Sequence, residues 1–92
     1  MKLAEKSIIS SVDFGSRFVQ NFVYKIMNMQ SNPYILTLDK NVNAKSILGL
    51  LSANIRKGDT IRIQVMNNYD LGQAESDLEY IINLICGEDD ES

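Results

Sequence analysis

The segment from residue 60 to residue 66 constrains the fold most, because its polar and apolar residues alternate from Thr60 to Val65. Alternation with a period of two predicts a β-strand with one buried face and one open face. The apolar set consists of Ile61, Ile63 and Val65. These side chains are predicted to point to covering helices, whereas Arg62 and Gln64 point outward.

Three other segments carry apolar residues at helical spacing. A first helix is predicted from Ser16, as its N-cap, to about Met29, and a second from Ser46 to about Asn54. A third helix starts near Asp70. The face of the first helix comprises Phe18, Val19, Phe22, Val23, Ile26 and Met27. The stripe of the third comprises Leu71, Ala74, Leu78, Ile81, Ile82 and Ile85.

Three short segments complete the predicted sheet. Residues 3–10 predict a weak first strand, and residues 34–38 with the return strand 42–43 predict a hairpin. The resulting element order is β-α-β-β-α-β-α. This order predicts an α+β fold of the open-faced β-sandwich type, in which three helices cover one face of a four-stranded, mostly antiparallel sheet.

Length and charge bound the organisation and the class of protein. The 92 residues predict a single domain over residues 1–87 and an acidic tail, 88–92, that is expected to be disordered. Four of the twelve acidic residues lie at 88–91, so residues 1–87 carry nine basic and eight acidic groups. No basic stripe indicates direct nucleic-acid binding. No apolar run approaches the ~20 residues of a membrane span.

The absence of histidine excludes several kinds of chemistry. A catalytic triad and a Cys/His zinc site are ruled out, because the chain has one cysteine and no histidine. Cys86 also excludes an internal disulfide framework, and it fits a reducing cytoplasm. No glycine-rich phosphate loop is present. We therefore expect no enzymatic activity, no metal and no cofactor.

Residues 42–52 offer the most specific clue to function. They read Val-Asn-Ala-Lys-Ser-Ile-Leu-Gly-Leu-Leu-Ser, a short strand followed by a serine at the start of an apolar helix. This segment resembles the regulatory-serine helix of HPr, the phosphocarrier family of the bacterial sugar phosphotransferase system. The resemblance extends over almost the whole chain in the same element order. It implies an HPr-like fold.

The second signature of the HPr family is altered in this chain. The family sequence Gly-Ile-His-Ala-Arg-Pro-Ala corresponds to Asp-Phe-Gly-Ser-Arg-Phe-Val at residues 13–19. Arg17 matches the family arginine, Gly15 replaces the phosphorylated histidine, and Phe18 replaces the proline. Because glycine has no side chain to phosphorylate, the resemblance implies that the histidine relay is lost. The chain is similar in this to Crh, a paralogue of HPr that also lacks the histidine.

Ser46 has two interpretations. It can be a simple N-cap, or it can be a phosphorylation site, where a dianion would meet the positive end of the helix dipole. By resemblance, HPr kinase/phosphorylase would phosphorylate Ser46. The phosphoprotein would then bind a LacI-type catabolite-control repressor through Arg17, Ile47, Leu48 and Leu51.

The apolar residues of the second helix spread too widely to be buried together against one sheet. They are Ile47, Leu48, Leu50, Leu51 and Ile55. Some are therefore predicted to form an exposed patch that binds a protein, unless all are core or close a homodimer. The alternative function is a diverged HPr-like interaction module without phosphorylation, with a dedicated partner or as a homodimer. Phe14 and Phe18 suggest that the former histidine surface has become more apolar.

Overall fold

A computed structural model describes residues 2–87 and confirms the predicted element order. The strands are β1 (Lys2–Ile9), β2 (Asn32–Leu36), β3 (Asn41–Asn43) and β4 (Thr60–Asn67). The helices are α1 (Ser16–Ile26), α2 (Ile47–Ala53) and α3 (Leu71–Cys86). The acidic tail lies outside the described residues, so its predicted disorder stays a prediction. No helix within residues 2–87 combines the length and apolar character that a membrane crossing requires.

The four strands form one antiparallel sheet in the order β1-β4-β2-β3. Strand β4 lies between β1 and β2, and its alternation gives the predicted register. Ile61, Ile63 and Val65 are buried, whereas Arg62 is exposed and Gln64 is half-buried. The three helices lie on the buried face, with α3 packed on β1 and β4. The predicted open-faced sandwich is confirmed.

The boundaries of α1 differ from the prediction. Gly15, not Ser16, is the N-cap residue, because its backbone is extended and its carbonyl accepts the first helical hydrogen bond from the Val19 N–H at 2.9 Å. The Ser16 hydroxyl instead accepts a bond from the Gln20 side chain at 3.1 Å. The helix ends at Ile26, three residues before Met29. Met27 is consequently 52% exposed and does not belong to the buried face.

The hairpin begins earlier than predicted. Strand β2 starts at Asn32 and ends at Leu36, so it includes Pro33, which pairs with Val65. Proline is tolerated near the start of a strand, and its carbonyl here accepts a bond from the Ala44 N–H at 2.9 Å. A turn closed by the Thr37 N–H and the Lys40 carbonyl then leads into β3.

Helix α3 starts as predicted, with the Asp70 carboxylate accepting a hydrogen bond from the Gln73 N–H at 3.1 Å. Four residues of its predicted stripe are buried, namely Ala74, Leu78, Ile81 and Ile85. Leu71 is 42% exposed because it occupies the first helical position, beyond the edge of the core. Ile82 is half-buried, and Cys86 packs at the edge of the core as a small apolar residue.

Candidate functional site

The start of α2 has a defined polar geometry around Ser46. The Ser46 backbone is extended, and its hydroxyl oxygen accepts a hydrogen bond from the Gly49 N–H at 3.0 Å. This bond satisfies one of the free N–H groups of the first helical turn. The predicted N-cap is therefore confirmed. The residue is half-buried.

Gly49 lies close to the Ser46 hydroxyl. A Cβ atom at position 49 would lie 3.2 Å from the Ser46 hydroxyl oxygen, a tight contact. Glycine at this position therefore avoids a tight contact with that oxygen. Sequence reasoning gave Gly49 no role, although its position three residues after the N-cap is a signal that could have indicated one.

The backbone before Ser46 is held by hydrogen bonds to several elements. The Lys45 N–H donates to the Asn43 side-chain oxygen at 2.8 Å, and the Ser46 N–H donates to the Asn43 carbonyl at 3.0 Å. The Lys45 ammonium donates to the carbonyl of Met29, just beyond α1, at 2.7 Å. This long-range contact was not visible in the sequence. It fixes the start of α2 against the end of α1.

The apolar residues of α2 divide between the core and the surface. Leu50 and Ile55 are buried, whereas Leu48 is 81% exposed and Ile47 and Leu51 are 39% and 37% exposed. We call the three exposed residues the α2 patch. The predicted exposure of this patch is confirmed, and the interpretation that all five residues are core is wrong. Its use in partner binding stays a prediction.

Arg17 lies on the surface formed by α1 and α2, at the end opposite to Ser46. The N–H of Phe14, just before α1, donates to the carbonyl of Ile55, just after α2, at 2.8 Å. The start of α1 is thus beside the end of α2, whereas Met29 and Lys45 join the opposite ends. Arg17 is exposed in the first turn of α1. A partner that contacts both Arg17 and Ser46 must therefore extend along α2.

The start of α1, where Gly15 occupies the position of the family histidine, differs in structure from the start of α2. Gly15 has no side chain, and α1 has no side-chain N-cap bond. Phe14 is 4% exposed and belongs to the core. Its ring centroid lies 4.8 Å from that of Phe18, and Phe18 stacks on Phe22 at 5.6 Å. The expectation that Phe14 makes this surface more apolar is therefore wrong, because its ring points inward; Phe18 is half-buried.

The region of Ser46 combines a hydroxyl at a helix start, hydrogen bonds that hold the preceding backbone and an adjacent exposed apolar patch. Among residues 2–87, no three or more His, Cys, Asp or Glu side chains form a group that could hold a metal ion.

Comparison with known proteins agrees with this fold. Residues 4–85 match the family model described as the PTS HPr component phosphorylation site. The phosphocarrier protein HPr from Bacillus anthracis is 26% identical, with a TM-score of 0.80 over 90% of this chain and 96% of that chain. The histidine-containing phosphocarrier protein of Mycoplasma is 28% identical, with a TM-score of 0.72, over 91% of this chain and 100% of that one. The chain belongs to the HPr family.

A third structure supports the fold alone. HPr-C-His from Thermoanaerobacter tengcongensis is 24% identical, and the superposition has a TM-score of 0.64 over 96% of this chain and 99% of that chain. No curated protein sequence matches this chain. The family is thus established by the family model, and the sequence of this member contains no histidine.

Proposed function

We propose that this HPr-family protein is a Crh-like regulator of carbon catabolite control, switched by phosphorylation at Ser46 in the cytoplasm. It does not act as a histidine phosphocarrier, since the chain has no histidine to phosphorylate. The observation that carries the proposal is the Ser46 hydroxyl at the start of α2, bonded to the Gly49 N–H and followed by the α2 patch.

The site suits a phosphate for electrostatic reasons. The first N–H groups of a helix and the positive end of its dipole favour an anion. A phosphate at Ser46 carries nearly two negative charges and three acceptor oxygens where a hydroxyl stood before. The surface next to the α2 patch would change strongly while the fold changes little. A basic partner would then gain charge-assisted hydrogen bonds.

The modifying enzyme and the partner follow from the resemblance to HPr. HPr kinase/phosphorylase would transfer the phosphoryl group from ATP to Ser46. A LacI-type catabolite-control repressor would then contact the phosphate, the α2 patch and Arg17. The geometry supports this arrangement because Ser46 and Arg17 flank the patch at its two ends.

Incubation with HPr kinase/phosphorylase and ATP should add one phosphate per chain. Ser46→Ala should abolish the modification. Ser52→Ala is the matched control, because Ser52 is an exposed serine on the same helix and should leave phosphorylation intact. Mass spectrometry of intact and digested protein measures both. If a kinase that modifies an authentic HPr adds nothing here, Ser46 is only a cap, and the constitutive interaction module becomes the better explanation.

Binding to the repressor tests the patch separately. Leu48→Asp should weaken binding of the phosphorylated protein about tenfold or more, because it places a charge in the centre of an apolar contact. Leu38→Asp is the matched control, since Leu38 is a fully exposed leucine in the β2–β3 turn. Arg17→Ala should reduce binding less than Leu48→Asp does. Equal affinities of the two leucine variants would exclude the patch as the contact.

A further inference from the structure

The Lys45 ammonium connects the proposed phosphorylation site to a different helix. It donates to the Met29 carbonyl at 2.7 Å, and the Lys45 side chain is half-buried. Met29 follows the last turn of α1, and its own N–H donates to the Ile26 carbonyl at 3.0 Å. The Met29 carbonyl lies three residues beyond Ile26, the last residue of α1, in the turn that leaves the helix. Lys45 therefore acts as an external cap of the turn that follows α1.

The Lys45 ammonium can move, whereas the Lys45 backbone cannot. The Lys45 backbone is fixed by its hydrogen bond to Asn43 at 2.8 Å. The side chain, in contrast, is a flexible four-carbon stem with a point charge at its end. Lys45 also directly precedes Ser46. A new anion on the Ser46 oxygen would thus appear next to Lys45, the residue whose ammonium is bonded to the Met29 carbonyl.

We propose that phosphorylation of Ser46 draws the Lys45 ammonium from the Met29 carbonyl to the phosphate and so loosens the turn that follows α1. This inference rests on the proposed function, because it requires a phosphate at Ser46. The phosphate is the stronger acceptor, since both partners of the new bond are charged, whereas the Met29 carbonyl is neutral. The bond to Met29 is lost when the bond to the phosphate forms.

The consequence is that the modification alters both helices of the partner surface. Met27, which is 52% exposed, lies in the turn between α1 and the Met29 carbonyl. When Lys45 leaves, this turn loses its external cap while the start of α2 gains a charged one. A partner that spans the two helices would then sense a change in the order of the turn after α1 as well as the charge of the phosphate.

Hydrogen exchange at the Met29 amide tests this coupling. Phosphoserine is incorporated at position 46 during translation, so the test does not depend on any kinase. Four proteins are compared, with serine or phosphoserine at position 46 and with lysine or methionine at position 45. Lys45→Met keeps an apolar stem and removes the charge. Lys40→Met is the control, because Lys40 is an exposed lysine in the β2–β3 turn.

We expect phosphoserine alone and Lys45→Met alone to accelerate exchange at Met29 roughly fivefold or more. Each removes the ammonium bond that holds the Met29 carbonyl, so the turn opens more often and the Met29 N–H separates from the Ile26 carbonyl. Together they should accelerate it no further than either alone. Lys40→Met should have no effect. In the lysine-containing protein, the carbonyl carbon resonance of Met29 should also shift when position 46 is phosphorylated, which gives a reading that needs no variant.

Unchanged exchange and an unchanged carbonyl resonance in the phosphoserine protein would overturn the proposal. Effects of phosphoserine and Lys45→Met that multiply would also overturn it, because independent effects cannot come from one shared bond. Failure of the proposed function would give a different pattern of results. The kinase would then not modify Ser46, although the protein with incorporated phosphoserine would still show the coupling.

Discussion

The starts of α1 and α2 share a backbone geometry and differ in the chemistry that each can support. Both helices begin after a residue in extended conformation, Gly15 for α1 and Ser46 for α2. Gly15 offers no side chain and makes no capping bond, whereas Ser46 offers a hydroxyl that caps the helix at 3.0 Å. Of the two N-cap residues, Ser46 has a hydroxyl and Gly15 has no side chain.

The surroundings of the two helix starts differ as well. The start of α1 is anchored by buried rings, since Phe14 lies in the core against Phe18 and Phe22. The start of α2 is anchored by polar bonds from Asn43 and by the Lys45 ammonium, and it is followed by the exposed α2 patch. The first region is thus built mainly for stability, whereas the second keeps polar and apolar groups accessible to a partner.

The largest expected difference between the two regions is in phosphoryl transfer from phosphoenolpyruvate. With the general phosphotransferase enzyme, the wild-type chain should gain no phosphate, because Gly15 has no nucleophile. Gly15→His should fold, since no atom lies within 4 Å of a Cβ built at this position. It should restore transfer only weakly, because Phe18 replaces the proline that shapes the helix start in the family. Acid-labile phosphate is measured by mass spectrometry.

Two outcomes would break this part of the comparison. Acid-labile phosphate on the wild-type chain would show that another residue replaces the histidine. Full transfer by Gly15→His would show that the aromatic residues have not changed the site, and that only the nucleophile was lost.

The next largest difference is in stability. Phe14→Ala should lower the free energy of unfolding by about 3–5 kcal/mol, because it empties a buried aromatic site. Leu48→Ala should change it by no more than ~0.5 kcal/mol, because that side chain is 81% exposed. Urea titrations of both variants measure the two effects. A large loss of stability in Leu48→Ala would mean that the α2 patch is part of the core.

The smallest difference concerns the caps themselves. Ser46→Ala should cost about 1 kcal/mol of stability, since the Gly49 N–H loses its acceptor. Gly15→Ser should instead add a few tenths of a kcal/mol at most, because serine is only slightly better than glycine as an N-cap. The same titrations resolve the signs. If Ser46→Ala is neutral, the hydroxyl contributes no cap, and its hydrogen bond to Gly49 is not significant in solution.

Local patterns predicted the elements of this fold well. The alternation in residues 60–66 gave the register of β4, and the serine before an apolar run gave the N-cap of α2. Errors occurred at element boundaries, such as the N-cap and the end of α1, and where the outcome depends on distant groups. The inward orientation of Phe14 follows from packing against α1 and a bond to the loop after α2, and neither has a local signal.

The candidate site was predicted only in part, because some of its contacts also join residues that are distant in the sequence. The exposure of Leu48 followed from counting apolar residues that one short helix cannot bury. The contact between Lys45 and Met29 joins residues 16 positions apart, so a sequence pattern cannot reveal it. The separation of Arg17 from Ser46 along α2 likewise required the relative placement of two helices. Whether these residues bind a partner stays a prediction.

One measurement tests the contrast between the two helix starts most directly. The wild-type chain is offered both phosphoryl donors in parallel, phosphoenolpyruvate with the general phosphotransferase enzyme and ATP with HPr kinase/phosphorylase. The intact mass is then determined before and after acid treatment. We predict no phosphate from the first donor and one acid-stable phosphate, located on Ser46, from the second. Acid-labile phosphate from the first donor, or no phosphate from a kinase that modifies an authentic HPr, would contradict the assignment.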